Sequence, residues 1–312
     1  MPIRNLGTLL ENIVLVEAAR GVLAIVESGG TIEFVNAFAM PPLSIWDNHP
    51  RDQGFDARTL TSLSNGPTDQ QYSTYMRLMS RCLQHNPDCG PNGALLVNML
   101  LRESSHPSRI WLNDLPDDGG AHYPGAPHSF DQIEAATDLL CPLHQSRAIY
   151  RSCETAFPDS LQDLSNTIAD WREQGRPDAR IGFLDPMKYS IDDPEPNQTS
   201  SASFHQWLSI IDQHVCGPVV SVHFTGNPRG PHELSHELHT MHRDGVRRSF
   251  TMTEFRHANY AVVVHIKSCD GRRFADELED RVNRSWRLWF EAAPGVNSAS
   301  SLFVSHRRRM FG

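Results

Sequence analysis

Short apolar runs alternating with segments of helical spacing are the strongest constraint on this chain. The runs are TIEFVNAF, SRIWLND, RAIYRS, ARIGFLDP and PVVSVHFTG. Between and around them stand ALLVNMLLRES, IEAATDLLCPLH, LQDLSNTIADWREQ (closed by Gly175) and FHQWLSIIDQHV, whose apolar residues recur with the helical period. Residues 5–27 show the same period through Leu6, Leu9, Leu10, Ile13, Val14, Val16 and Ala19. Strand–helix alternation predicts an α/β fold, a mostly parallel sheet with helices on both faces. Two longer runs, RSFTMTEF and YAVVVHIKS, are linked only by RHAN and predict one antiparallel edge strand before a final helix, RFADELEDRVNRSWRLWF.

The expected organisation is a single Rossmann-like domain over 1–290, with an insertion at about 41–90 and a basic, flexible tail over 291–312. The first part of the insertion, 41–70, is rich in Pro, Asn, Asp and Gly and reads as loop; QQYSTYMRLMSRCLQ then reads as helix. At 312 residues and 39% hydrophobic content the chain can bury a large core. No apolar run approaches the roughly 20 residues of a membrane span, and the first 20 residues are not ordered as a signal peptide. Six scattered cysteines form no C-x-x-C pair, which predicts reduced, structural thiols and a cytoplasmic setting.

The net charge of −9 excludes general coating of nucleic acid. The charge is uneven: after residue 240 there are 13 Lys/Arg against 8 Asp/Glu, a surplus of +5 against −14 elsewhere. Arg307, Arg308 and Arg309 close the chain as a local basic patch or a solvated tail.

In a sheet of this kind ligands bind at the carboxyl ends of the strands, near the switch in strand order. The strand ends are therefore the candidate site. They are Asn36-Ala37-Phe38-Ala39, Asn113-Asp114, Ser152-Cys153-Glu154, Asp185-Pro186 and His223-Phe224-Thr225. Asp185-Pro186 reads equally as a turn or as a catalytic acid at a strand end.

Taken in order, EFVNAFAMPP, GPNGALLVNMLLRESSHPSRIWLND, RAIYRSCETAFPDSLQDL and ARIGFLDPMKY resemble the class I S-adenosylmethionine-dependent methyltransferases. The nearest likeness is to the large-subunit rRNA adenine-N6 methyltransferases, with the three-Cys-motif partner proteins as relatives, and it runs from about Leu9 to about Cys269. The resemblance implies S-adenosylmethionine as cofactor, methyl transfer to an exocyclic amine, and RNA or DNA as substrate. It places Asn36, Phe38, Ala39, Asp114, Cys153 and Glu154 around the cofactor. Asp185, Pro186, Lys188 and Tyr189 would form the target pocket, with Asp185 accepting from the amine and Tyr189 stacking on the base. Two departures stand out. Asn36 replaces the motif I acid and Met40-Pro41-Pro42 its glycines; Met187 and Lys188 separate Pro186 from the aromatic. The alternative is the same fold repurposed to hold a nucleic acid or protein partner without methylating it.

A third reading, a zinc-dependent hydrolase, rests on His232-Glu233-Leu234-Ser235-His236, an H-E-x-x-H match extended by His239 and His242, with Glu254 downstream. It follows Pro231 directly, so it occupies a first helical turn, and no metal ligand is assigned from it.

Overall fold

The computed structural model describes residues 6–38, 43–45, 73–85, 89–113, 130–142, 148–185, 188–190, 198–224, 250–257, 260–268, 270–292 and 302–307. In chain order these form α1 (Leu6–Ile25), β1 (Ile32–Asn36), β2 (Leu43–Ile45), α2 (Thr74–His85), β3 (Cys89–Pro91), α3 (Gly93–Glu103), β4 (Ser108–Asn113), α4 (Phe130–Leu140), β5 (Ala148–Cys153) and α5 (Phe157–Glu173). They continue with β6 (Ala179–Leu184), β7 (Lys188–Ser190), β8 (Gln198–Ser200), α6 (Ser201–Ile211), β9 (Val219–Phe224), β10 (Thr251–His257), β11 (Tyr260–Lys267), α7 (Gly271–Ala292) and β12 (Phe303–Arg307).

Eight strands make the main sheet, in the order β12-β10-β11-β9-β6-β1-β4-β5. The strands β5, β4, β1, β6 and β9 are mutually parallel. Numbered along the chain they run 3-2-1-4-5, the Rossmann winding, and the order reverses beside β1. The expected α/β, Rossmann-like sheet is thus present. Its antiparallel part is larger than the single edge strand expected. β11 pairs with β9, β10 with β11, and β12 with β10, all antiparallel. Phe303–Arg307, within the segment read as tail, is the outermost strand and pairs with β10.

The central strands are buried on both faces along their whole length, so apolar residues dominate them without alternation; Glu33 and Asn36 of β1 and Arg180 of β6 are the polar residues among them. One face packs α1, α2, α3, α4 and α7 around Phe34, Ile181 and Phe183. The other packs α5 and α6 around Val35, Trp111, Leu184 and Trp207. Helix α1 is buried nearly all round: Leu9, Leu10, Ile13, Val14 and Val16 are fully buried. A helix that is apolar on every side belongs in the interior. Three polar residues, Glu11, Asn12 and Glu17, are buried on it all the same.

The insertion after β1 is tied at both ends. β2 and β3 pair antiparallel, Leu43 opposite Pro91 and Ile45 opposite Cys89. Helix α2, between them, drives Tyr75, Leu78 and Met79 into the core against α1. Its first turn is held by Glu17, which accepts from the Tyr75 amide at 3.1 Å and from Ser285 Oγ of α7 at 2.8 Å.

Gly175 ends α5 as expected, with a φ of 116° that suits glycine and its amide on the Arg172 carbonyl at 3.1 Å.

Among the described residues no helix is long and apolar enough to cross a membrane.

Candidate functional site

The strands β1, β6 and β9 finish almost level. Asn36 lies opposite Phe183, and Leu184 opposite His223. Asp185, the next residue after β6, therefore stands between the end of β1 and Phe224 at the end of β9. Side chains alternate along a strand. Ile181 and Phe183 face α1, and Leu184 faces α5 and α6. The same parity sends Asp185 to the α1 face.

Glu11 meets it there. The two carboxyl groups are hydrogen-bonded to each other, and Glu11 is only 5% exposed. Burial pushes Asp185 up to about 7. Burial, together with the neighbouring Asp185, raises Glu11 well above the usual carboxylate range. Glu11 is accordingly the protonated donor and Asp185 the acceptor near neutral pH. Near neutral pH one proton is held between the two carboxyl groups, because two carboxylates in contact, one of them buried, repel each other. Sequence reading missed Glu11. Its only visible signal was a charged residue amid the apolar positions of α1, a signal that Glu17 shares.

Aromatic residues stand at or beyond the ends of the neighbouring strands. Phe224 and Tyr260 stack with centroids 6.4 Å apart and planes 18° apart, both partly exposed. Phe38, beyond β1, is partly buried with its ring 5.2 Å from that of Phe157.

The end of β1 is closed by its own side chain. Asn36 is 1% exposed, and its Oδ1 accepts from the Phe38 amide at 2.9 Å. The Ala37 amide donates to the Phe183 carbonyl at 3.1 Å. Asn113 joins the neighbouring strand ends. Its Nδ2 donates to the carbonyls of Ala37 and Thr155, both at 3.1 Å, and its Oδ1 accepts from the Thr155 amide at 3.3 Å. At the end of β5 the Cys153 thiol lies 3.2 Å from the Thr155 hydroxyl. Burial raises its pKa, so it is a neutral thiol and a poor nucleophile. Glu154 is exposed. Of the residues expected to line a cofactor, Asn36, Phe38, Cys153 and Glu154 are thus brought to one edge of the sheet; Ala39 and Asp114 lie outside the described residues. Pro186 does too. Lys188 and Tyr189 lie in β7, a ribbon parallel to β8, but only their backbone is described.

These strand ends fit a nucleoside-bearing group in part. Phe38 and Cys153 pack on the same side of the sheet and offer a planar face and a soft, neutral wall. Glu154 offers an exposed carboxylate for hydroxyl groups. Asn36 offers no charge, and its oxygen is already engaged.

None of the basic excess of the C-terminal part lies on α7, whose five arginines are matched by five acids. Arg272, Arg273, Arg281 and Arg287 each pair with an acid four residues away on the same helix. Among the described residues no cluster of three or more His, Cys, Asp or Glu is arranged to hold a metal ion. His232, Glu233, His236, His239 and His242 lie outside the described residues. Glu254 is paired with Arg256 at 2.5 Å.

Fold and strand ends together define an α/β Rossmann-like protein with a carboxyl pair at its switch point. No protein-family model matches the chain, and no curated protein matches it. Among solved structures it is similar to protein LPL1258 from Legionella pneumophila str. Philadelphia 1, assigned to the family DUF519. The identity is 10%, with 97% of this chain and 98% of that chain covered and a TM-score of 0.54. At that identity the likeness is one of fold.

Proposed function

We propose that this protein transfers a methyl group from S-adenosylmethionine to an exocyclic amine of a nucleic acid base, with Asp185 receiving the amine. The observation that carries this reading is the Asp185 carboxylate at the end of β6, beside the switch point and next in register to Phe224, poised near neutral pH. A base works best when its pKa lies near the working pH. Asp185 would accept a hydrogen bond from the amine, orient its lone pair, and take up the proton it sheds as the N–H bond breaks. S-adenosylmethionine supplies, when bound, a methyl group activated on a sulfonium. Phe38, Cys153 and Glu154 would hold its nucleoside, and Phe224 and Tyr260 supply a flat surface suited to a planar base. RNA or DNA is the partner in this reading, and the reduced cysteines Cys82, Cys141, Cys153 and Cys216 accord with a cytoplasmic place.

The engaged, neutral Asn36 favours a second reading: the same fold holding a nucleic acid or protein partner without transferring a methyl group. Calorimetric titration with S-adenosylhomocysteine separates the two. Micromolar binding, with transfer of labelled methyl to bacterial RNA or DNA that Asp185→Asn lowers by about 100-fold or more, is the expected result. Absence of binding at millimolar ligand overturns the methyltransferase reading and leaves the second.

A further inference from the structure

The most deeply placed ionisable side chain at the site is one that the transfer reaction does not obviously require. Glu11 sits on the second turn of α1, between Leu10 and Ile13, which are fully buried. That turn is pinned on both sides. A Cβ at Gly7 would lie 2.4 Å from Cδ1 of Tyr260, so the first turn is pressed against β11. A Cβ at Gly93 would lie 2.8 Å from both Asn12 Oδ1 and Leu15 Cδ2, so the next turn is pressed against the start of α3. Glycine at both positions lets α1 approach more closely than any other residue would permit. Glu11 lies between the two pins and reaches Asp185, which the strand parity turns towards it.

We infer that Glu11 is a positioning residue: its protonated carboxyl donates a hydrogen bond that fixes the Asp185 carboxylate, leaving the free Asp185 oxygen for the amine. The inference rests on the role assigned to Asp185 above. The proton balance is simple. Glu11 keeps its proton throughout. The amine nitrogen would use its lone pair to take the methyl group as the carbon–sulfur bond breaks, its electron pair staying on the sulfur as a thioether; the nitrogen sheds one proton, and Asp185 gains it as a new O–H bond. Return of that proton to solvent restores the pair. Among the described residues, Glu11 is the ionisable side chain that bears on Asp185, and it does so from α1. A group held from a rigid helix keeps its geometry without depending on loops.

The experiment uses full-length protein with the aspartate side-chain carboxyls labelled with carbon-13. The Asp185 resonance is assigned by its loss in Asp185→Asn and followed by NMR against pH. Glu11→Gln retains a neutral donor of similar length, and the Asp185 midpoint stays near the wild-type one. Glu11→Leu removes the donor and leaves the carboxylate unsupported, and the midpoint moves up. A midpoint that falls in Glu11→Gln would show that Glu11 is an anion and overturn the inference. So would a midpoint unchanged in Glu11→Leu. Thermal melting of each variant guards against loss of fold, with Glu11→Met as a second apolar replacement. With tritiated S-adenosylmethionine and total bacterial RNA as probe, Glu11→Leu lowers the rate by about 10- to 100-fold, the worth of one charge-assisted hydrogen bond. Glu11→Gln lowers it little, and binding of S-adenosylhomocysteine is the same in both. If wild type itself transfers nothing, the methyltransferase reading fails, while the NMR midpoints still decide whether Glu11 fixes Asp185.

Discussion

Arg180 sets its guanidinium on the Glu33 carboxylate, Nε to Oε2 at 2.7 Å and Nη2 to Oε2 at 2.5 Å, with both side chains buried. Arg109 reaches the other oxygen at 3.3 Å. The two arginines come from β6 and β4, and the acid from β1 between them. Each arginine then seals the end of a helix. Arg180 donates to the carbonyls of Ile210, Ile211 and Gln213 at the end of α6, at 3.2, 2.7 and 2.9 Å. Arg109 donates to those of Trp171 and Gly175 at the end of α5, at 3.0 and 2.9 Å. Positive charge belongs at helix C-termini. One carboxylate thus holds together two helices and three strands at the edge of the sheet away from the site.

Removing Glu33 leaves two buried cations without a counter-charge. Glu33→Leu is expected to cost about 3–5 kcal/mol, the usual consequence of breaking one side of a buried pair. The double change Glu33→Leu/Arg180→Met should recover part of that loss, because an apolar pair needs no counter-charge. Urea unfolding followed by tryptophan fluorescence measures both. A Glu33→Leu protein as stable as wild type would show that the ion cluster contributes nothing.

Asp185 makes stability depend on pH. Its folded pKa, about 7, is raised above the usual carboxylate value by burial. Between the unfolded value and about 7 the unfolded chain has released this proton while the folded chain keeps it. The stabilisation is therefore complete in acid and is lost as pH rises through about 7. Asp185→Asn removes the dependence. Its thermal midpoint relative to wild type should climb between pH 4 and pH 7 and then level, a window set by the raised value near 7. A difference that is flat across this window would mean that Asp185 titrates as an ordinary surface carboxylate.

Most of the fold was legible because it was written in periodicity. The runs around Ile32–Asn36, Ser108–Asn113, Ala179–Leu184 and Val219–Phe224 are apolar strands, and each appears as one. The closing pair Thr251–His257 and Tyr260–Lys267 was equally plain. What escaped depends on contacts far apart in the chain. Phe303–Arg307 carries His306 and Arg307 in a short polar context, and only the partner β10 makes it a strand. Asp185 was legible from its place after an apolar run. Glu11, which faces it, lies 174 residues away by the numbering, and nothing local marks a buried acid as functional. Asn113 was visible as a strand-end residue, but its three bonds to two neighbouring strands were not.

Those bonds give Asn113 a test of its own. The amide both donates and accepts, and no smaller side chain replaces it. Asn113→Ala leaves two carbonyls and one amide without their partner and should cost about 1–3 kcal/mol. Asn113→Asp keeps the acceptor for the Thr155 amide but turns a second oxygen towards the carbonyls of Ala37 and Thr155. It should be less stable than the alanine variant at neutral pH and recover in acid, where its carboxyl can donate. Thermal melting at two pH values checks the order. An aspartate variant more stable than alanine at neutral pH would contradict the assigned donor.

Gly7 offers the last test, because it joins the aromatic wall to the carboxyl pair. The Tyr260 ring lies across it, with Cδ1, Cε1 and Cγ at 2.4, 2.8 and 2.8 Å from where a Cβ would stand. The conflict involves the ring's attached end, so rotation of a flexible tip cannot relieve it. Gly7→Ala must displace either the ring or α1, at about 1–3 kcal/mol. Displacing the ring breaks its stack on Phe224; displacing the helix moves Glu11, one turn further along. Tyr260→Ser alone should also destabilise, by loss of the stack and its buried area. In the double variant the serine leaves room for the alanine, so the combined loss falls below the sum of the two. Thermal unfolding of the four proteins gives that coupling directly, and strictly additive losses would show that Gly7 and Tyr260 do not constrain one another.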